Sequence, residues 1–211
     1  MNLEKLFKAQ KELDDRIVEG KGLQGKDLLD KKILALQVEL GELANNWRGF
    51  KFWSEHQKPI TEVPCFECDG RGGYMGYVNN PMPEHTLVKC GDCDGTGKGG
   101  NPLLEEYVDC LHFILSIGLE IGIRPDELKD LHIWNADGVS QFNSLFAYSS
   151  ELYVFYWSVE YTKKEMKAKY INLLEGLLGL GIYGLGFTWK EIEQAYYEKN
   201  KINHERQTDG Y

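Results

Sequence analysis

The sequence is poor in positive charge and lacks any long apolar run. Lys and Arg total 24 against 33 Asp and Glu, which gives a formal net charge of −9. So acidic a chain argues against broad binding to a nucleic-acid backbone. No 18 consecutive residues are apolar, and the first residues, MNLEKLFKAQKELDDR, are charged throughout, unlike a signal peptide. We therefore expect a cytoplasmic protein without a membrane span.

The remaining composition is that of an ordinary globular protein. Hydrophobic residues make up 42% and charged residues 27% of the 211 positions, which excludes wholesale disorder. A chain of this length buries enough surface to fold without covalent cross-links and accommodates one or two domains.

Apolar residues recur at helical spacing through most of the chain. Thr188, with Glu191 three residues later, has the pattern of a capping box that begins the last helix. No alternating strand pattern occurs outside a cysteine-rich segment. The sequence thus predicts an all-α, multi-helix bundle, with helices at residues 3–18, 32–47, 102–122, 141–159, 163–178 and 188–205.

Residues 58–100 differ in kind and are interpreted as an inserted module. They hold four of the six prolines and four of the five cysteines. The cysteines form two copies of C-x-x-C-x-G-x-G, a pattern that resembles the zinc-binding repeats of the DnaJ cysteine-rich domain. Four thiolates suit one tetrahedral structural Zn²⁺, with disulfides, redox dithiols or iron as alternatives. The predicted ligands are Cys65, Cys68, Cys90 and Cys93.

The insert divides the predicted helical domain into residues 1–57 and 101–211. Three roles are open for the insert: it caps an active site, supports a dimer or binds a protein partner. His85 is not needed as a ligand, and Cys110 fits a buried helix cysteine.

Two acidic pairs are the main candidates for chemistry. Glu39 and Glu42 are three residues apart on one predicted helix, and Glu106 and Asp109 repeat that spacing on another. If these helices face each other, four carboxylates meet, and such a cluster needs a compensating charge. Mg²⁺ is the natural counter-ion, and two or more ions would suit phosphate-ester or anhydride chemistry. The alternative is that each pair lies on a solvated helix face.

A polar stripe near the C-terminus supplies complementary charge. Lys199, Asn203 and Arg206 follow at helical spacing and share one face. Such a face could bind a polyphosphate through the ammonium group of Lys199 and the planar guanidinium group of Arg206. The alternative is a solvated basic tail.

Three stretches together resemble a known family: KILALQVELGELANNWRGFKFW, NPLLEEYVDCLHFILSIGLEIG and FTWKEIEQAYYEKNKINHERQTDGY. They are similar to the dimeric all-α dUTPases of the MazG-like nucleotide pyrophosphatase superfamily, and the likeness covers residues 3–56 and 101–211. The ending K-x-x-x-N-x-x-R-Q-x-x-G-Y is the most specific motif. The resemblance implies a homodimer that hydrolyses dUTP, and also dUDP, to dUMP with a metal-activated water.

The resemblance also implies roles for single residues. Glu39, Glu42, Glu106 and Asp109 match metal ligands, one of the first pair also polarising the attacking water. The remaining positions match nucleotide contacts: Gln10, Asp14 and Trp53 at the base; His112 elsewhere in the pocket; Lys51, Lys199 and Arg206 at the phosphates; Asn203 at the base or sugar; and Tyr211 closing the site. The alternative for four of these positions is an ordinary packing or surface role: Gln10, Asp14, Trp53 and His112.

Two rival functions follow from the same residues. A dCTP or broader nucleoside triphosphate pyrophosphatase would use the same metal site with another base pocket. A zinc-ribbon interaction protein on an inactive scaffold would use only the insert, although the intact carboxylates and C-terminal motif argue against it.

Overall fold

The computed structural model describes residues 2–77, 85–158, 162–208 and 210. Within these ranges it contains six α-helices and one two-stranded antiparallel sheet, which confirms the all-α prediction with a small insert. The elements are α1 (Leu3–Gly20), α2 (Leu29–Trp47), β1 (Gly73–Tyr77), β2 (His85–Lys89), α3 (Pro102–Glu120), α4 (Gly138–Trp157), α5 (Lys163–Gly179) and α6 (Trp189–Thr208).

Local capping explains where several helices begin. The Asn101 side chain accepts from the Leu104 backbone N–H, and Pro102 occupies the first turn of α3. The predicted capping box of α6 is confirmed: Thr188 Oγ1 accepts from Glu191 N–H at 3.2 Å, and the Glu191 carboxylate accepts from Thr188 N–H at 2.8 Å.

Several helix boundaries differ from the prediction, among them the start of α4, which is Gly138 and not residue 141. Helix α2 begins three residues early, at Leu29, and α6 extends to Thr208. The glycine-rich segment after α5, expected to end that helix, instead continues as a π-helical turn over Leu180–Gly184. Gly181 lies against the Tyr107 ring, where no side chain would fit, and the Tyr107 hydroxyl donates to Leu177 O at 3.1 Å. The close contact therefore requires glycine at position 181, within the π-helical turn.

Helices α2 and α3 form an antiparallel central pair. Lys32 Nζ lies 2.6 Å from Glu120 at one end of the pair, and Asn46 donates to Glu106 at the other. Their facing leucines, including Leu40 and Leu111, are fully buried. Helices α1 and α6 pack on α3, and α4 packs on α2 and α5. We name residues 2–57 and 101–208 the helical body.

Residues 58–100, which we name the cysteine module, are anchored between α2 and α3. The Ile60 N–H donates to Asn46 O at 2.9 Å, and the Leu103 N–H donates to Ile60 O at 3.2 Å. Strand β1 pairs with β2 so that Tyr74 lies opposite Val88. The module therefore starts from the end of the pair that carries Glu106.

Among the described residues, no single helix is both long and apolar enough to cross a bilayer. The pair Lys163–Gly184 and Trp189–Thr208, bent by 117°, meets that length and composition test only when taken together.

Candidate active site

A cavity of about 480 Å³ opens between α1, the first half of α2, α3 and α6. Each helix contributes residues at i, i+3, i+4 or i+7 spacing, so one face of each is presented to the same space. Eight of the residues predicted as ligands or nucleotide contacts line it: Gln10, Asp14, Glu39, Asp109, His112, Lys199, Asn203 and Arg206.

Three carboxylates from α2 and α3 meet beside this cavity. One oxygen of each of Glu39, Glu42 and Glu106 lies within 4.8 Å of the others. Burial, followed by the negative charges of Asp109 and Glu42, raises the pKa of Glu39 to about 7. Burial and the same kind of repulsion raise the pKa of Glu106 to about 7. The group is electrostatically unfavourable unless a cation neutralises it.

The fourth predicted carboxylate, Asp109, has a different partner. Its Oδ2 accepts from Lys199 Nζ at 2.7 Å, and the same ammonium lies 2.8 Å from Glu105. Burial raises the pKa of Asp109, against the lowering effect of Lys199. The structure therefore brings Asp109 to the cavity and close enough to repel Glu39, but not into the three-carboxylate group.

A polar pocket forms the part of the cavity between α1 and α3. The Gln10 amide lies between Asp14 and His112: Nε2 donates to Asp14 at 2.7 Å, and Oε1 lies 2.7 Å from His112 Nδ1. Tyr196 from α6 stacks on the His112 ring at 4.2 Å and donates to Gln10 Oε1. Burial, helped by the positive charge of Lys199, lowers the pKa of His112 to about 3, so the ring is neutral at neutral pH.

The C-terminal stripe lies where the sequence predicts it. Lys199, Asn203 and Arg206 all line the cavity from α6, and Arg206 donates to Asn203 Oδ1 at 3.3 Å. Two cations therefore lie at the same cavity as Glu39.

Two predicted contacts lie outside the cavity lining. Lys51 and Trp53 are in the loop after α2, where the Trp53 ring packs edge-on against Phe50 and Phe52 and is 66% exposed. The Lys51 ammonium lies 5.6 Å from the centre of the Phe50 ring. Tyr211, also predicted as a contact, is outside the described residues.

Sequence reasoning missed several residues that support the site. Ser116 donates to Asp14 at 2.5 Å, Lys32 lies near the same carboxylate, and Glu105 shares Lys199. Ser116 follows His112 by four residues, so helical spacing alone could have placed it on the cavity face. Tyr196 is three residues before Lys199 and fully buried, but its contact with α1 depends on how α6 packs.

The four cysteines of the module form a second candidate metal centre. All four are buried, and their sulfur atoms lie within 4.8 Å of one another. The distances from Cys65 to Cys90 and from Cys68 to Cys93 are 3.9 and 3.8 Å, longer than a disulfide bond. Backbone N–H groups of Gly72 and Gly97 donate to the sulfurs of Cys68 and Cys93. The cluster is thus compatible with zinc, bound by thiolates that are oriented by backbone hydrogen bonds.

Comparison with known families identifies the helical body. The family profile described as dUTPase matches residues 2–67 and 95–211, and no curated protein matches the chain. Apart from Met1, the unmatched residues, 68–94, lie inside the cysteine module. The chain belongs to the dUTPase family and is a dUTP diphosphatase, as its resemblance to the all-α dUTPases predicted. Members of this family generally use a divalent metal.

Proposed function

We propose that this member of the dUTPase family hydrolyses both dUTP and dUDP to dUMP in a magnesium-dependent reaction, releasing pyrophosphate or phosphate. The observation that carries the proposal is the position of Glu39. It belongs to the three-carboxylate group and also lines the cavity, together with two cations and a pocket of neutral polar groups.

The donor set fits Mg²⁺. Glu39, Glu42 and Glu106 offer carboxylate oxygens within 4.8 Å of one another, the hard ligands that this ion prefers. We propose two or more ions per site, with Asp109 as a further ligand once it exchanges its partner Lys199. Bound Mg²⁺ would neutralise phosphate charge and lower the pKa of an attacking water.

The chain's own residues supply the remaining electrostatics. Lys199 and Arg206 line the cavity near the carboxylates, where they would bind the phosphates and stabilise the negative charge that develops on the leaving group. Glu39, the group member that lines the cavity, is placed to orient a water and accept its proton. Asn203, between the two cations on α6, would contact the sugar or base.

Base selection is assigned to the pocket of Gln10 and His112. Both side chains are almost fully buried and line the cavity. A buried polar pocket rejects a mismatched base because its own hydrogen-bonding groups are left unpaired. Selection against ribose would be steric, because a 2′-hydroxyl would have to fit against apolar lining residues such as Phe113.

The loop after α2 and the last residue complete the proposed contacts. Trp53 is exposed and close in sequence to the end of α2, so it would have to approach the base when substrate binds. Lys51 would reach a phosphate, and Tyr211 would close the site.

We further propose that the enzyme is a homodimer. Helices α2 and α4 pack together and carry exposed apolar side chains, among them Leu34, Val38, Val154 and Trp157. A second cavity, of about 360 Å³, lies between the same helices. Exposed apolar area of this kind is typical of an interface.

The cysteine module, proposed to span residues 58–100, would bind one structural zinc. It starts beside Glu106 and carries Phe66, 92% exposed between two of the cysteines. A protein partner for this surface is a further proposal. The thiolate centre also suits the reducing cytoplasm.

A substrate panel tests the proposed activity. Purified protein with Mg²⁺ is incubated with dUTP, dUDP, dCTP, dTTP and dATP, and products are separated by ion exchange. We expect dUMP and pyrophosphate from dUTP, dUMP and phosphate from dUDP, and no activity after chelation. Faster turnover of dCTP, or activity that survives chelation, would contradict the proposal.

A further inference from the structure

The ammonium group of Lys199 lies between two carboxylates of α3. Its Nζ donates to Asp109 Oδ2 at 2.7 Å and to Glu105 Oε1 at 2.8 Å. The two acidic residues are four positions apart, so they are neighbours on one face of the helix. The Lys199 side chain is only 11% exposed. Packing therefore keeps the ammonium at this place, where it is bound to both carboxylates at once.

The two carboxylates differ in where they lie relative to the cavity. Asp109 lines the cavity, as Lys199 itself does, and its side chain is 17% exposed. Glu105 is not among the lining residues, and its side chain is 60% exposed. Glu105 also lies outside the three-carboxylate group, although Glu106, the next residue, belongs to it. Lys199 is thus paired with one carboxylate inside the cavity and with another outside it.

Only the inner carboxylate has a second proposed use. Asp109 would become a metal ligand, and its oxygen would then be turned to a hard cation and away from the ammonium. Lys199 would lose one of its two charged partners while it stays largely buried. A buried cation without a charged partner is costly. Glu105 already holds the same ammonium and would remain as its partner.

We infer that Glu105 is a positioning residue, which keeps Lys199 at the edge of the cavity while Asp109 exchanges this lysine for the metal. An ammonium has three protons to donate. The proton released by Asp109 becomes available to a phosphate, and the bond to Glu105 holds the ammonium where that phosphate would bind. The inference rests on the proposed magnesium-dependent reaction. It assigns a role to a residue that neither binds the metal nor touches the substrate.

Glu105→Gln is the first test because it removes the outer charge and keeps the size of the side chain. Binding of a metal to Asp109 then leaves the ammonium without either of its two carboxylate partners. We expect the Kd for Mn²⁺, a substitute for Mg²⁺ that is visible by EPR, to rise by about tenfold, the scale of lost contacts behind metal ligands. The measurement uses zinc-loaded, magnesium-free protein and requires no turnover.

A double-mutant cycle with Lys199→Met shows whether Glu105 acts through Lys199. Without the ammonium, Glu105→Gln changes Mn²⁺ binding only through a solvent-screened charge, so its effect should shrink to about twofold or less. An equal effect in both backgrounds would overturn the inference, because Glu105 would then act by its own charge alone. Unchanged Mn²⁺ affinity in Glu105→Gln would overturn it as well.

Glu198→Gln is the matched control for the charge change. Glu198 is next to Lys199 on α6 but exposed, and it accepts from Gln194 of the same helix at 2.9 Å. Its substitution should leave the Kd for Mn²⁺ unchanged. A cycle that behaves as expected in a protein that does not hydrolyse dUTP would contradict only the proposed substrate. A wild type that binds no Mn²⁺ at this site would overturn the inference together with the magnesium site.

Discussion

The helical body and the cysteine module are stabilised in different ways. The body buries a continuous set of leucines and aromatic rings from all six helices. Among the described residues of the module, the buried hydrophobic cluster consists of Cys65, Cys68, Cys90 and Cys93 alone. Segments of about 40 residues rarely fold on such a core without a metal or cross-link. We therefore expect the fold of the module to depend on the proposed zinc ion, whereas the body has a core of its own.

The proposed magnesium site of the body would bind its ions for a different reason. Its packing brings Glu39 and Glu106 into partly buried positions beside Glu42, where burial and repulsion raise the first two pKa values. The core holds these groups together despite that cost. A protein can therefore use one kind of interaction, carboxylate or thiolate around a cation, for chemistry in one region and for folding in another.

The largest expected effect is the loss of zinc and of the fold of the cysteine module, without unfolding of the helical body. Cys65→Ser combined with Cys90→Ser should abolish zinc binding, from about one ion per chain to none, because each of the two knuckles loses a ligand. The fold of the module should be lost with it, while the main thermal transition of the body persists. Elemental analysis and limited proteolysis measure the two effects.

Cys110→Ser is the matched control for that double variant. Cys110 is buried in α3, outside the module, and a serine there places a hydroxyl in the core. The melting temperature of the body should fall and the zinc content should not change. If Cys110→Ser lost zinc, or the double variant unfolded the body, the two regions would not be independent.

The next largest effect concerns catalysis in the body. Glu39→Gln should lower kcat by about three orders of magnitude, because it removes a metal ligand and the proposed acceptor of the water proton. The melting temperature should not fall, since a repelling charge is lost. Glu12→Gln, on the exposed face of α1, is the control for the charge change. Undiminished turnover in Glu39→Gln would refute the metal role.

A smaller effect is expected around the zinc centre. The Tyr74 hydroxyl lies 3.4 Å from Cys90 Sγ, and this hydrogen bond lowers the pKa of that thiol to about 6. Tyr74→Phe should weaken zinc binding by about tenfold, the scale of lost hydrogen bonds to metal ligands. Competition with a chromophoric chelator measures the affinity. Turnover of dUTP should be unchanged, and a parallel loss of activity would show that the module contributes to the site.

The smallest effect is a pH dependence of stability in the metal-free body. The pKa values of Glu39 and Glu106 rise on folding from 4.5 to about 7, so the folded state binds more protons in that range. The free energy of unfolding should therefore decrease as the pH rises from 4.5 to 7 and level off above it, because the two glutamates outweigh the opposite contribution of His112 below pH 6.5. Denaturant titrations with EDTA test the slope, and Mg²⁺ should restore stability at the higher pH. A rise in stability across this range would contradict the electrostatic account.

Much of the fold could be predicted because its signals are local. Helical spacing placed all six helices, and the capping box at Thr188 depends on residues three positions apart. The end of α5 was not predicted, because glycines that read as a helix stop are there to make room for a distant ring, as Gly181 does for Tyr107. The site was predictable to the same extent: spacing put Glu39 and Glu42 on one face, but nothing local shows that Asp109 pairs with Lys199 instead of joining them.

The sequence by itself determined which groups this protein has for chemistry: two acidic pairs, a cationic stripe, and two cysteine knuckles at fixed spacing. These patterns persist because residues three or four apart share a helix face and two cysteines in a C-x-x-C turn share a ligand. The tertiary structure alone decided which partner each group meets, as when α6 brings Tyr196 to Gln10 and α3 brings Ser116 to Asp14. Hydrogen bonds and ion pairs across helices depend on distances of a few tenths of an ångström, and only the packing of the core sets those.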